Sequence, residues 1–251
     1  MVGYINICQP SHMGTIVLEV ETVILDIDDT LIPSSDIEEE ALSKSYEVVK
    51  DMTSLSFEDF VGKMRGIRRS FEDERQCFYT PEHFLIFLTN NISRNEMLAM
   101  KMYVSYTDEN INRIRLCDGT SEFLSYLRKN LYNMIVVSKG VRWNQYEKLV
   151  RTEISDYFQD WYIDNDETKT LKLTKAMKEY DLDPSKTVYI GDNPDVDIPS
   201  AKEVGLISIR LRQGRRSKQD SEIPPDYEFD NLSNLHDFFK NSVTGPSPQP
   251  L

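Results

Sequence analysis

Val23-Ile24-Leu25-Asp26-Ile27-Asp28-Asp29-Thr30-Leu31 is the stretch on which the reading of this chain turns. Val23, Ile24 and Leu25 form a β-branched, apolar run of the kind buried on both faces of a sheet. The run ends in three carboxylates, Asp26, Asp28 and Asp29, followed by Thr30. Carboxylates this close repel one another, and more so when partly desolvated. A chain that keeps them at the end of a buried strand has a cation there or uses the charge in chemistry. Taken alone, the same residues would serve equally well as solvated caps of the next turn.

Two further apolar runs weigh against the solvated turn. Thr187-Val188-Tyr189-Ile190 leads into Gly191-Asp192, then Asp195 and Asp197, and Met134-Ile135-Val136-Val137 leads into Ser138-Lys139-Gly140. Ligands of open α/β sheets sit outside the carboxyl ends of the strands. Asp, Ser and Asp delivered to one edge make a site for Mg²⁺ and a phosphate. In order and spacing, Asp26-x-Asp28-x-Thr30, Ser138 after an apolar strand, a lysine, and Gly191-Asp192-x-x-x-x-Asp197 resemble the haloacid dehalogenase-like (HAD) hydrolase superfamily. The resemblance covers residues 20–35 and 113–240.

The rest of the chain bounds the function. Its 251 residues allow one large domain or a domain with an insert. A net charge of −13 argues against a general nucleic-acid binder, though not against an anionic small substrate held by a metal and local lysines. Cys8, Cys77 and Cys117 are widely spaced, which points to a reducing compartment and no disulfide framework. Only three histidines make a zinc or His-based site a poor candidate. No apolar run approaches a membrane span and no signal peptide is expected, so the cytoplasm is the expected location, with Met13 an alternative start to Met1.

Thr15–Val20 is β-rich and either runs into the Val23 strand or pairs with it as a hairpin. From Asp36 the character changes to helix: Asp36–Met52, Phe57–Phe71, Pro81–Asn91 and Arg94–Ile111. Ser56 with Asp59, and Ser93 with Glu96, are the expected caps. After Arg113, strand and helix alternate, which implies a parallel sheet. The expected architecture is α/β: residues 1–35 and 113–240 form a doubly wound, Rossmann-like core, residues 36–112 an inserted all-helical cap, and residues 241–251 a disordered, proline-rich tail.

The resemblance implies a Mg²⁺-dependent phosphatase acting on a small phosphorylated metabolite. It implies Asp26 as the nucleophile that forms an aspartyl-phosphate, and Asp28 as the acid that protonates the leaving group and then the base that activates water. The Asp26 carboxylate, the Asp28 carbonyl and Asp192 would hold the metal. Ser138 and Lys139 would bind the phosphate, with Lys139 contributing its backbone N–H. The run Ser138-Lys139-Gly140 followed by Gln145 and Lys148 looks like a variant of that motif. Lys169 is the expected lysine bridging nucleophile and phosphate, with Lys172 as the alternative. Asp197 would support the site from behind, with Asp195 as its alternative. Arg65, Arg68 and Arg69 in the insert, and Arg210, Arg212, Arg215, Arg216 and Lys218 near the end, read as solvated faces. A phosphomutase on the same fold, a receiver domain and a non-catalytic binding protein are the competing readings. The receiver domain is disfavoured because it is shorter and has no helical insert.

Overall fold

The computed structural model describes residues 18–70 and 79–246. After a two-residue strand, β1 (Leu18–Glu19), the chain enters β2 (Thr22–Leu25). Helices α1 (Ser34–Glu47), α2 (Phe57–Ser70), α3 (Pro81–Asn91) and α4 (Glu96–Asn112) follow. Strand and helix then alternate through α5 (Thr120–Lys129), β3 (Asn133–Lys139), α6 (Arg142–Arg151), β4 (Asp160–Asp164), α7 (Lys169–Glu179), β5 (Thr187–Gly191), α8 (Asp197–Val204) and β6 (Ile207–Leu211). The chain closes with β7 (Tyr227–Phe229), α9 (Leu232–Ser242) and β8 (Val243–Thr244).

Six of these strands form one parallel sheet in the order β4-β3-β2-β5-β6-β7. The β2 strand lies inside it, between β3 and β5, where the strand order reverses. Its side chains alternate between two cores. Val23 and Leu25 join Val136, Ile190, Phe123, Leu127 and Phe239, whereas Ile24 joins Val137, Tyr189, Leu173 and Ala201 on the other face. Each fully buried Val, Leu or Ile side chain stabilises the fold by about 1.5–3 kcal/mol, so the register is firmly set. Leu25 pairs with both Val136 and Ile190. Asp26, Ser138 and Asp192, just beyond these partners, therefore lie at the same carboxyl-terminal edge of the sheet. A one-residue slip of β2 would exchange the two faces and carry Asp26 away from that edge.

The helices between β2 and β3 bury a core of their own, with Leu42, Phe60, Phe84, Phe87, Met102 and Tyr106 among its members. Phe60 meets Phe87 edge-on with ring centroids 4.9 Å apart. This is the helical cap on an α/β core.

Several local expectations need correcting. Leu18–Glu19 neither continues β2 nor forms a hairpin with it; it pairs in parallel with Val243–Thr244. The tail is therefore ordered further than composition implied: α9 runs to Ser242, and β8 finds a partner only because the N-terminal strand lies beside it. Strand β7, only three residues long, was not expected; it is held by β6. The cap of α4 is Asn95, whose side chain accepts from Leu98 N at 3.0 Å, and not Ser93. Ser56 does cap α2, its hydroxyl accepting from Asp59 N at 3.1 Å. Arg210 is fully buried instead of solvated, bonding Glu228 at 3.1 Å and the Arg216 carbonyl at 3.0 Å. Arg68 lies 2.6 Å from Glu38 and stacks over Tyr79. Cys117 is a free thiol. Met13, Cys8, Cys77, Phe71 and residues 247–251 lie outside the described residues. Among the described residues, no helix is long and apolar enough to cross a membrane.

Candidate active site

Asp26 follows the last residue of β2 and is 6% exposed. Its Oδ2 lies 3.1 Å from Lys169 Nζ, which lies 2.6 Å from Asp197 Oδ1. Lys169 is the first residue of α7, a start fixed by Thr168, whose hydroxyl accepts from Leu171 N at 3.2 Å. Asp197 opens α8 with both oxygens engaged. Its Oδ1 also accepts from Tyr189 OH at 3.2 Å, and its Oδ2 accepts from Asn193 N at 2.9 Å. The glycine at 191 is required by this packing: a Cβ there would stand 2.2 Å from Asp197 Oδ2. Asp195 turns outward to Gln219, which leaves Asp197 as the inward acid.

Among the described residues, two buried oxygens at this centre have no hydrogen-bond partner, Asp26 Oδ1 and Asp192 Oδ2. Asp26, Asp192 and Asp197 each offer an oxygen within 4.8 Å of the others. Because Asp197 is taken up by Lys169, Tyr189 and Asn193, the two orphaned oxygens are the donors left over. Burial, reinforced by the neighbouring carboxylates of Asp197 and Asp26, pushes Asp192 up to about 8. Burial pushes Asp26 up to about 6, with Lys169 and the Ser138 hydroxyl opposing and Asp197 and Asp28 adding to the rise. Buried, unpaired carboxylate oxygens that resist ionisation fit a hard divalent cation, which takes oxygen ligands and reverses that resistance. Lys169 stays charged: burial opposes it, but Asp197 and Asp26 hold its pKa above the ordinary lysine value.

Asp28 stands apart from this group. It accepts from Gln145 Nε2 at 2.7 Å, from Ser34 Oγ and from Lys148 Nζ. Burial works to raise its pKa, but Lys148 and these hydrogen bonds hold it below the usual carboxylate value. Gln145 also donates to the Lys139 carbonyl at 3.0 Å. The approach depends on Gly140, where a Cβ would meet Gln145 Nε2 at 2.6 Å. Sequence reasoning quoted Gln145 and Lys148 without a role. Their i, i+3 spacing, which puts both on one face of α6, was the available signal.

Ser138 is buried beside Asp26, and Lys139 is exposed. Lys172 does not reach the carboxylates. It donates to the Ser138 and Asp164 carbonyls, each at 2.7 Å, tying the ends of β3 and β4 together. Burial and the Lys169 charge lower its pKa to about 8. Asp29, also given no role, has a left-handed backbone (φ 54°) and a buried carboxylate that accepts from Ser35 N at 2.8 Å. A pocket of about 290 Å³ opens beside Asp28, between core and cap.

The model of the family described as haloacid dehalogenase-like hydrolase matches residues 23–211, from β2 through β6. The chain belongs to that family. Its relatives include the glyceraldehyde 3-phosphate phosphatases of Methanopyrus kandleri and Methanocaldococcus jannaschii. The first is 26% identical over 87% of this chain and 96% of its own, the second 27% identical over 88% and 98%. Among solved structures, the magnesium-bound HAD-hydrolase YfnB of Bacillus subtilis shares the fold. Its TM-score is 0.64 at 21% identity, over 88% of this chain and 98% of its own.

Proposed function

We propose that this member of the family is a Mg²⁺-dependent phosphatase that hydrolyses a small sugar phosphate through an aspartyl-phosphate on Asp26. Its standing as a phosphoric monoester hydrolase rests on family membership and on relatives named as phosphatases. The observation that carries the finer reading is the division of labour at the sheet edge. One oxygen of Asp26 is paired with Lys169 and the other is orphaned, as is Asp192 Oδ2, while Asp28 is held separately by Lys148, Gln145 and Ser34.

In this reading the Asp26 carboxylate attacks phosphorus as the bond to the leaving oxygen breaks. Lys169 offsets the charge of the phosphoryl group. The Ser138 hydroxyl and Lys139 N–H bind its peripheral oxygens. Asp28 passes a proton to the leaving alkoxide. It then takes a proton from the water that cleaves the aspartyl-phosphate, which releases phosphate and restores Asp26. Asp28 rests as the carboxylate, the form suited to the second step. A bound phosphate dianion is a like charge that raises its pKa for the first. The Asp26 and Asp192 carboxylates, with the Asp28 carbonyl that the family pattern supplies, would hold Mg²⁺. That ion would neutralise the repulsion between carboxylate and phosphate. The cap would exclude bulk water and select the substrate. The pocket volume is near the lower end of the range of about 300–1,000 Å³ for ligand sites. That favours a substrate of triose size, in keeping with the names of these relatives.

The test is phosphate release from p-nitrophenyl phosphate by the native chain and by Asp26→Asn, with Mg²⁺ and with chelator. Metal-dependent turnover that disappears in Asp26→Asn is the expected result. Undiminished turnover by a contaminant-free Asp26→Asn preparation would refute the mechanism.

A further inference from the structure

The pocket beside Asp28 carries more positive charge than the reacting phosphoryl group requires. Its wall includes Arg68, Lys139, Lys148, Arg215 and Arg216 against Asp28, Asp29 and Glu38. Five cations thus face three carboxylates in a chain whose net charge is −13. Much of that charge is already committed. Lys148 is paired with Asp28. Arg68 and Arg215 reach Glu38 at 2.6 and 2.9 Å, and Arg65 reaches it at 3.4 Å, so one carboxylate is shared by three guanidinium groups, two from the cap and one from the core. Lys139 sits next to Ser138, where the transferring phosphate is expected. Arg216 remains: its side chain has no ion-pair or hydrogen-bond partner among the described residues, and its charge is felt at Asp192.

The segment that presents Arg216 is firmly built. Gln213 Nε2 donates to the Thr30 carbonyl at 2.8 Å, which docks the segment on the acidic turn after β2. Gly214, with φ 65°, lies so close to Asp29 that a Cβ would stand 2.4 Å from its Cγ. The fully buried Arg210 holds the Arg216 carbonyl from below. A solvated arginine loop needs none of these contacts. Tyr106 and Asn110 add neutral polar groups to the wall, with Asn110 donating to the Tyr106 oxygen at 3.4 Å.

We propose that Arg216, together with the Glu38-clamped pair Arg68 and Arg215, forms a second anion subsite, so that the preferred substrate carries a carboxylate or second phosphate at the end remote from the scissile ester. This rests on the phosphatase reading above and sharpens it: the substrate class becomes a small phosphorylated sugar acid or sugar bisphosphate instead of a phosphate with a neutral tail. Lys169 and the metal serve the reacting group; the arginines serve the other end and give selectivity.

The test compares three-carbon esters that differ at the far end: glycerol 3-phosphate, 3-phosphoglycerate and glycerol 1,3-bisphosphate. Each is assayed with Mg²⁺ for the native chain, Arg216→Gln and Arg216→Lys. The native chain is expected to favour the anionic-tailed esters in kcat/KM, the carboxylate and bisphosphate arms showing which anion is read. Loss of one charge-assisted contact predicts that Arg216→Gln lowers that preference by roughly 10- to 100-fold, chiefly through KM. Arg216→Lys should restore part of it. A native preference for the neutral tail, or an equal loss on all three esters in Arg216→Gln, overturns the proposal; the latter would mean that Arg216 serves the reacting phosphoryl group. If none of the esters is hydrolysed, the p-nitrophenyl phosphate assay decides the phosphatase reading separately, and the subsite is still read by calorimetric binding of the same esters to the native chain and Arg216→Gln. Tighter binding of the anionic tails that is lost in Arg216→Gln supports it, and equal binding refutes it.

Discussion

Replacing Gly191 by alanine tests whether the ion triad Asp26–Lys169–Asp197 is what makes the site work. Gly191 lies outside the left-handed region, so alanine adds no backbone strain there, only a methyl group. That methyl would stand 2.2 Å from Asp197 Oδ2 and 2.5 Å from its Cγ, where real Cβ contacts essentially never fall below 3.0 Å. Asp197 must retreat by at least 3.0 − 2.2 = 0.8 Å. It is fully buried and pinned by Asn193 N, so the retreat loosens its hold on Lys169. Overpacking of this kind costs about 1–3 kcal/mol, or roughly 2–10 °C in Tm for a chain of this size. A misplacement near 1 Å at a reacting group costs about 100-fold in rate, so kcat/KM for p-nitrophenyl phosphate should fall by roughly 30- to 100-fold. Gly205→Ala is the control. Gly205 has φ 81° and its Cβ would meet only Pro184 at 4.0 Å, so alanine there costs stability by backbone strain of about 1–2 kcal/mol, remote from the site. Gly191→Ala within threefold of native kcat/KM, or an equal loss in Gly205→Ala, would refute the reasoning.

Two further predictions concern charge. The folded-state pKa values of Asp26 (about 6) and Asp192 (about 8) are raised by burial above the unfolded value, so the folded chain holds the extra protons. Metal-free stability from these groups therefore falls as pH rises from about 4 to 8. In chelator, Asp192→Asn should melt higher than the native chain at pH 8 but not at pH 4. Mg²⁺ at about 100 times its Kd should stabilise the native chain by about 2.7 kcal/mol and leave Asp192→Asn nearly unmoved; a native Tm unchanged by Mg²⁺ at pH 8 would contradict the metal assignment. Lys148→Met removes the charge that holds Asp28 low, so the Asp28 pKa read from the kcat/KM profile should move up. The stability from that pair is present above the unfolded carboxylate pKa and lost as pH falls through the lower folded value. The Tm deficit of Lys148→Met should thus shrink on acidification, and an unaltered rate profile would show that Lys148 does not tune Asp28.

Much of this was legible from local sequence. Short β-branched runs such as Val23–Leu25 and Thr187–Ile190 need no tertiary information to be read as buried strands, because a strand covered on both faces leaves a continuous apolar signature. Their order, and the acids that end them, located the sheet edge. Pro81 set the start of α3 for the same local reason: a missing N–H costs nothing at the first helical position. Strands β1 and β8 were different. Each is two residues long, and their pairing joins Leu18 to Val243 across almost the whole chain. No local pattern encodes that contact.

The α/β class, the helical insert, the family and the acids and lysines from which a site could be built all follow from periodicity, spacing and residue chemistry along the chain. Which members of that set meet is a matter of packing. Lys169 and Lys172 are one helical turn apart and chemically identical, yet one faces two carboxylates and the other two carbonyls. Asp195 and Asp197 are two residues apart, and the close packing at Gly191 goes with the second turning inward. Arg210 and Arg216 belong to one basic run, but one is buried under the loop and the other faces the pocket. Charge type is written in the chain, whereas the neighbour that neutralises a charge is supplied by segments tens to hundreds of residues away. Direction and partner, which set pKa and hence chemistry, are properties of the packed molecule.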